Sequence, residues 1–254
     1  VLMDVRMPGS GIAATLEITA ARVAAGSDRP AIVMLTASDD EDDLFEAIRA
    51  GDILVSHPYE SFSDSVERFI ETAAHDAHTL AIKMTVYRTS DDTPLVPALI
   101  RATERGKQAV CLVEVKARGD ERANIQWARA MEEAGVHVVH GFPDLKIHAK
   151  MTLVVRREQG GLRRYVHIGT GNYNASTARV YEDVGLFTAD EEISADVADL
   201  FNHVTGFGRP QRFRKLLVAP FTMRARLVEE IRRMATAAAE GIPTRIRLKL
   251  NALL

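Results

Sequence analysis

Cysteine is nearly missing from this 254-residue sequence: Cys111 stands alone, so no internal disulfide can form and stability must come from a packed core. With no secretory leader pattern at its start, a reducing, cytoplasmic location is expected. No apolar run approaches the roughly 20 residues that cross a bilayer, so no membrane span is expected. Excess charge of one sign is absent too. The 32 Lys and Arg against 35 Asp and Glu leave a net of −3, which argues against nucleic acid as a bulk, sequence-blind partner. Aromatic residues are few at 6%, but 46% apolar and 26% charged residues exclude a disordered, collagen-like or coiled-coil chain.

What is there divides unevenly. Residues 1–51 hold four Arg, no Lys and nine acidic residues, a net of −5, while the rest of the chain carries +2. That shift near Gly51 predicts two units, 1–51 and 52–254. The chain opens at Val1 inside what reads as a strand, as an excerpt of a longer protein would. Val1–Val5 and Ala31–Thr36 read as strands, Ile12–Ala25 and Asp40–Ala50 as helices. The alternation continues with an amphipathic Phe62–His75, a strand Leu80–Tyr87 and a helix Pro94–Arg105 closed by Gly106. A strand Ala109–Val115, a helix Ala123–Ala134 and a strand Val136–His140 follow. Ile147–Arg156 and Leu162–Gly169 flank a hairpin turn at Gly160 and Gly161. Asp196–Val204 and Arg224–Ala239 read as helices, and Thr244–Leu250 alternates like a strand. The class is α/β.

The chemistry concentrates in Lys146-Ile147-His148-Ala149-Lys150. In a strand, Lys146, His148 and Lys150 share one face, while Ile147, Ala149 and Met151 point to the core. Flanking ammonium groups keep an imidazole neutral, hence nucleophilic, and attract an anionic electrophile such as a phosphoryl group. An exposed charged strand face would give the same pattern with no chemistry. Three neighbouring features favour the chemical reading. Gly169-Thr170-Gly171-Asn172-Tyr173-Asn174 allows close backbone approach to a ligand. Glu114, Lys116 and Arg118 lie at strand spacing where α/β ligands bind, and Arg88 reaches the same sheet edge if its strand is parallel. Finally, Asp144–Gly169 holds six basic and two acidic residues, a local +4 in an acidic chain. Cys111 and Trp127 read as packing. His137, His140 and His167 lack metal-ligand spacing, and His75 and His78 read as solvated at a helix end.

From Asp52 onward the sequence resembles the middle and C-terminal regions of polyphosphate kinase. The likeness is carried by HPYESF (His57–Phe62), AIKMTVYRTSDDTPLVPALIRATERGKQ (Ala81–Gln108), VEVKARGDERANIQWARAMEEAGVHVVHG (Val113–Gly141), LKIHAKMTLVVRRE (Leu145–Glu158), RRYVHIGTGNYNASTARVYEDVGLFTAD (Arg163–Asp190), DVADLFNHVTGF (Asp196–Phe207) and KLLVAPF (Lys215–Phe221). The resemblance implies a phospholipase D-like α/β sandwich that transfers the ATP terminal phosphate reversibly to polyphosphate. It places the phosphorylated histidine at His148, with Lys150 and Asn172 beside it as catalytic groups. Arg88 and Arg118 fall at the phosphate and Mg²⁺ site, and Tyr181 at the nucleotide phosphate. ATP or ADP and polyphosphate are the implied partners, Mg²⁺ the implied cofactor, and a homo-oligomer the implied state of the full-length parent. Gly119 stands where the family usually has an aromatic and Ser56 where a second histidine is common; the family continues into a further domain with a second histidine, whereas this sequence stops at LKLNALL.

Residues 1–51 resemble instead a partial response-regulator receiver, through VLMDVRMPG (Val1–Gly9) and IVMLTASDDEDDLFEAIRAG (Ile32–Gly51). That likeness makes Asp4 a possible phosphoacceptor and Thr36 its hydroxyl partner, although the acidic metal-binding pair of a receiver is missing. Two other readings stay open at this point. One is a receiver-containing signalling module with a non-catalytic output domain. The other is a phospholipase D-like hydrolase, whose pattern wants an Asp five residues after the Lys, where Val155 stands.

Overall fold

The computed structural model describes residues 2–4, 33–35, 41–87, 94–114, 121–141, 145–206 and 212–247. It divides into two units, Val1–Pro210 and Gln211–Leu254. In the first unit, β1 (Leu2–Asp4) and β2 (Val33–Leu35) pair in parallel, with Asp4 opposite Leu35. The main sheet has seven strands in the order β3-β9-β8-β7-β4-β5-β6. These are β3 (Ile53–His57), β4 (Thr79–Val86), β5 (Gln108–Val113), β6 (His137–His140), β7 (Lys150–Glu158), β8 (Gly161–Gly169) and β9 (Asp183–Thr188). β4, β5 and β6 run parallel; β7, β8, β9 and β3 continue antiparallel.

The predicted crossovers account for the parallel half. Helices α3 (Leu95–Glu104) and α4 (Glu121–Glu133) link β4 to β5 and β5 to β6, since parallel neighbours need a connection that returns the chain to the same end. With α1 (Glu41–Ala50) and α2 (Arg68–His75) they form one packed helix layer. A five-residue π-helical stretch, Ser63–Glu67, leads into α2. Ile82 and Met84 of β4 sit in the core, while Lys83 between them bonds Asn202 of α6 (Glu191–Val204), so α6 covers the other face. Coverage on both faces buries five consecutive residues of β7, Lys150 to Val154.

The core takes Phe45 and Ile48 from α1, Phe69 from α2, Tyr165 from β8 and Phe187 from β9. It therefore runs across Gly51, where the charge balance changes. Cys111 is fully buried and its thiol is pushed up to about 12 by desolvation, as packing requires. Trp127 packs against the same core, half-buried. The hairpin forms as expected, Glu158 facing Gly161.

Three readings need correction. The strand expected from Ile147 begins only at Lys150, for a reason given with the site. β3 and β9, with the single-turn helix α5 (Ala175–Ala178), are elements the sequence reading does not mark. The strand expected over Thr244–Leu250 is not formed over 244–247, where every residue is exposed and, among the described residues, none pairs with a strand. The second unit consists of turns around Val218, which accepts from Thr222 and Met223, and helix α7 (Met223–Ala239). The predicted helix Ile12–Ala25 lies outside the described residues.

Candidate active site

The parallel strands β4, β5 and β6 end side by side, which brings Tyr87, Glu114 and Gly141 to one edge of the sheet. The Glu114 amide bonds Val86 O at 3.0 Å and the Gly141 amide bonds Val113 O at 3.2 Å. Ligands of α/β sheets bind at such carboxyl ends, and the predicted parallel pairing of the strands before Arg88 and Arg118 is what forms this one.

Residues 146–149 cross this edge without joining a ladder. Glu114, buried at 3% exposure, accepts the Ile147 amide at 2.9 Å. The Thr85 hydroxyl donates to Ala149 O at 2.8 Å and accepts the Met151 amide at 3.1 Å. Side chains thus satisfy the backbone groups that a strand would pair, and this is why β7 starts late. Gly141 permits the crossing: a Cβ there would stand 2.8 Å from Ile147 Cδ1.

The expected faces hold for Lys146 and His148, which are exposed, and for Ile147 and Met151, which are buried, but not for the last pair: Ala149 is exposed and Lys150 is buried. Lys150 Nζ lies 3.1 Å from His148 Nδ1 and donates to His148 O at 2.7 Å. Tyr87 walls the pair, its ring centroid 5.7 Å from the imidazole and 5.5 Å from Nζ. Desolvation, then the charges of Lys150 and Lys146, hold the His148 imidazole below its usual value. Burial pulls the Lys150 ammonium down to about 8 against the opposing pull of Asp183. The site therefore pairs an imidazole held toward its neutral form with a lysine whose ammonium is lowered to about 8.

Across the sheet, Gly169 pairs with Lys150, so the Gly169–Asn174 loop starts beside the lysine. The loop is fixed by hydrogen bonds. Thr170 donates its hydroxyl to Asp183 at 2.7 Å and its amide to Val184 O at 2.9 Å. Asn174 caps α5 by accepting the Thr177 amide at 3.0 Å. A Cβ on Gly171 would collide with the Asp183 carboxylate, so the loop needs glycine there. Asn172 lines a small cavity together with His57 and His167, and its side-chain oxygen is buried without a hydrogen-bond partner. Tyr181 is exposed just past α5, its amide bonded to Thr177 O at 3.0 Å.

Of the residues expected from sequence, the structure thus joins His148 and Lys150 directly and places Asn172 in the adjoining loop. Arg88, Lys116 and Arg118 lie outside the described residues, as does Thr36. Glu114 and Thr85 shape the His148 segment. Glu114 was visible from its spacing, whereas Thr85 carries no sequence signal apart from the strand it lies in.

Comparison with known proteins supplies the family context. The polyphosphate kinase C-terminal domain 1 family matches residues 43–210. The polyphosphate kinase of Mycolicibacterium gilvum is 60% identical over 210 residues, covering 83% of this chain and 29% of that protein. The polyphosphate kinase of Thermosynechococcus vestitus is 58% identical over 211 residues, with the same 83% and 29% coverage. The crystal structure of polyphosphate kinase from Porphyromonas gingivalis aligns at a TM-score of 0.70 and 34% identity, over 78% of this chain and 33% of that one. The chain spans less than a third of the length of these curated relatives.

Proposed function

The chain belongs to the polyphosphate kinase family, and we propose that it carries the histidine through which such a kinase moves the terminal phosphate of ATP reversibly to polyphosphate. The observation that supports this reading best is the pairing of an exposed imidazole with a buried amine, His148 Nδ1 to Lys150 Nζ at 3.1 Å.

One proton has to sit between those two nitrogens. When the lysine is neutral, the ring holds the proton on Nδ1, and the lone pair of Nε2 is free for attack. His148 Nε2 then forms a bond to the terminal phosphorus of ATP, and the bond to the bridging oxygen breaks with its electron pair on ADP. The Nδ1 proton passes to the Lys150 amine as the ring acquires positive character. This leaves a neutral phosphoimidazole beside an ammonium that offsets the phosphoryl charge. In the second half the phosphoryl group passes to the terminal oxygen of a polyphosphate chain, and Nδ1 recovers its proton. Arg88 and Arg118 would bind phosphate oxygens, and Tyr181 the nucleotide phosphate, on the strength of the family resemblance.

Mg²⁺ belongs to this reading only through the phosphates. Among the described residues no group of three or more His, Cys, Asp or Glu is placed to hold a metal, and a guanidinium has no lone pair to offer one. The described residues do not fit a protein-held Mg²⁺.

The test is acid-labile labelling of the full-length parent by ATP radiolabelled at the terminal phosphate. The wild type takes up label and His148→Ala takes up none; a labelled His148→Ala protein would overturn the assignment.

A further inference from the structure

Behind the Gly169–Asn174 loop, strands β3, β9 and β8 bring two histidines together that lie far apart in sequence. His57 on β3 is 4% exposed and His167 on β8 is 2% exposed. Both line a cavity of about 10 Å³ together with Asn172. Three buried polar atoms there have no hydrogen-bond partner: His57 Nε2, His167 Nε2 and Asn172 Oδ1. Orphaned polar atoms are costly when buried, and three at one small cavity require an explanation.

The other ring nitrogens fix what each orphan can do. His57 Nδ1 lies 2.8 Å from Glu60 O, and a carbonyl can only accept, so Nδ1 carries the hydrogen. With the hydrogen on Nδ1, Nε2 is the ring's acceptor nitrogen. His167 Nδ1 lies 2.8 Å from the Tyr173 hydroxyl, which itself accepts from Thr152 at 3.0 Å. Tyr173 therefore spends its hydrogen on His167 Nδ1, and the neutral ring carries its own hydrogen on Nε2. Burial, then the nearby His57, holds this imidazole down to about 3, which keeps it neutral. The three orphaned atoms thus offer one donor and two acceptors, while the Asp183 carboxylate that also lines the cavity accepts from Thr170. A water molecule, with two hydrogens to give and lone pairs to receive one, complements that set.

We propose that this cavity is a built site for one water, which accepts from His167 Nε2–H and donates to His57 Nε2 and Asn172 Oδ1. The volume matches the roughly 10–15 Å³ that one water needs. A metal ion does not match, because a ring nitrogen that carries hydrogen has no lone pair for it. The site also explains Gly185, whose Cβ would stand 2.6 Å from His167 Nε2 and 3.0 Å from Val55 Cγ2. Through this water, His57 and His167 act as positioning residues that tie the loop beside Lys150 to the edge strand β3. The inference does not depend on the proposed phosphotransfer.

A crystal structure of the full-length parent that shows ordered water tests it directly. The expected density peak lies about 2.6–3.2 Å from all three atoms. A void, a peak touching fewer than three of them, or a metal identified by anomalous scattering would each overturn the proposal. Nitrogen-15 NMR of the histidine rings should find His57 protonated at Nδ1 and His167 at Nε2; the opposite tautomer on either ring overturns it. Gly185→Ala fills the cavity, and His57→Phe removes the acceptor while keeping a ring against Phe62. In whichever of these folds, the Thr170 and Asn174 amides should exchange with solvent at least tenfold faster than in the wild type, while exchange in β4 and β5 stays unchanged. Unchanged exchange at Thr170 and Asn174 refutes the anchoring role.

Discussion

At the scale of single residues, the lysine three ångströms from His148 makes a kinetic prediction with a definite sign. Burial lowers the Lys150 ammonium to about 8, so below that pH most of it is protonated and cannot accept the Nδ1 proton. The His148 imidazole is already neutral there, being held below its usual value by desolvation and by the two lysines. Phosphorylation of His148 at low ATP reports the free protein's groups. It should therefore rise about tenfold per pH unit below the lysine value and level off above it. Lys150→Arg keeps the charge, but a guanidinium does not deprotonate in this range. That variant should be slow and show no rise between pH 6 and 9. Retention of the same rising limb in Lys150→Arg would place the proton acceptor elsewhere. Histidine and lysine two residues apart were visible in the sequence, but their bond was not. A period of two sets Lys150 beside His148 on a solvent face, whereas the chain joins the sheet only at Lys150, and that lysine is buried.

Between elements, the main tie at the opposite end of β4 and β7 is ionic. Arg156 Nε lies 2.9 Å from Asp76 Oδ2 and its Nη2 lies 3.4 Å from Oδ1, with both residues buried. The Thr79 hydroxyl and the His78 amide complete the carboxylate's shell at 2.7 and 3.0 Å, and Lys107 bonds the Asp76 carbonyl. Burial alone would push this carboxyl up, but the bonds from Arg156, Thr79 and His78 outweigh it and hold it below its usual range. Its contribution is present above the unfolded carboxyl's value of about 3.9 and is lost as pH falls through the lowered folded value. Removing Asp76 leaves the buried Arg156 guanidinium with Glu158, 3.5 Å from its Nη1, but deprives it and Thr79 of their carboxylate acceptor, so Asp76→Ala should cost about 1–3 kcal/mol. Urea unfolding at pH 7 measures it, and a change under 1 kcal/mol would show the pair to be dispensable. The elements themselves were unevenly legible. Helices α3 and α4 and strands β4 to β6 announce themselves through apolar periodicity and their glycine stops. β3 is short and half-exposed and β9 is interrupted by Gly185, so neither gives a clear period. Their pairing is what assembles the His57–His167 cavity, and metal-ligand spacing could not have revealed it, since only the antiparallel register joins residues so distant in the chain.

For the whole molecule, the question is where the folded unit containing the site begins. Composition changes at Gly51, and the matched family region starts at residue 43. Packing agrees with the earlier limit. Phe45 is fully buried, 4.8 Å from the Tyr165 ring and 6.0 Å from Phe69 between centroids, and the Arg156 guanidinium stands 5.0 Å from its face. Helix α1 therefore caps the hairpin end of the sheet, and Arg49 extends the contact by pairing with Glu158 at 3.6 Å. Truncating a buried phenylalanine costs about 3–5 kcal/mol, so Phe45→Ala should lower the unfolding free energy by that amount and the thermal midpoint with it. A chain that starts at Asp52 loses Ile48 and the rest of α1 as well, and exposes Tyr165 and Phe69 to water. It should be less stable than Phe45→Ala, whereas a chain that starts at Asp40 keeps α1 and should exceed both. Thermal unfolding of the three proteins followed by circular dichroism orders them. If the chain beginning at Asp52 melted no lower than the one beginning at Asp40, α1 would be a passenger and the compositional boundary at Gly51 would also be the structural one.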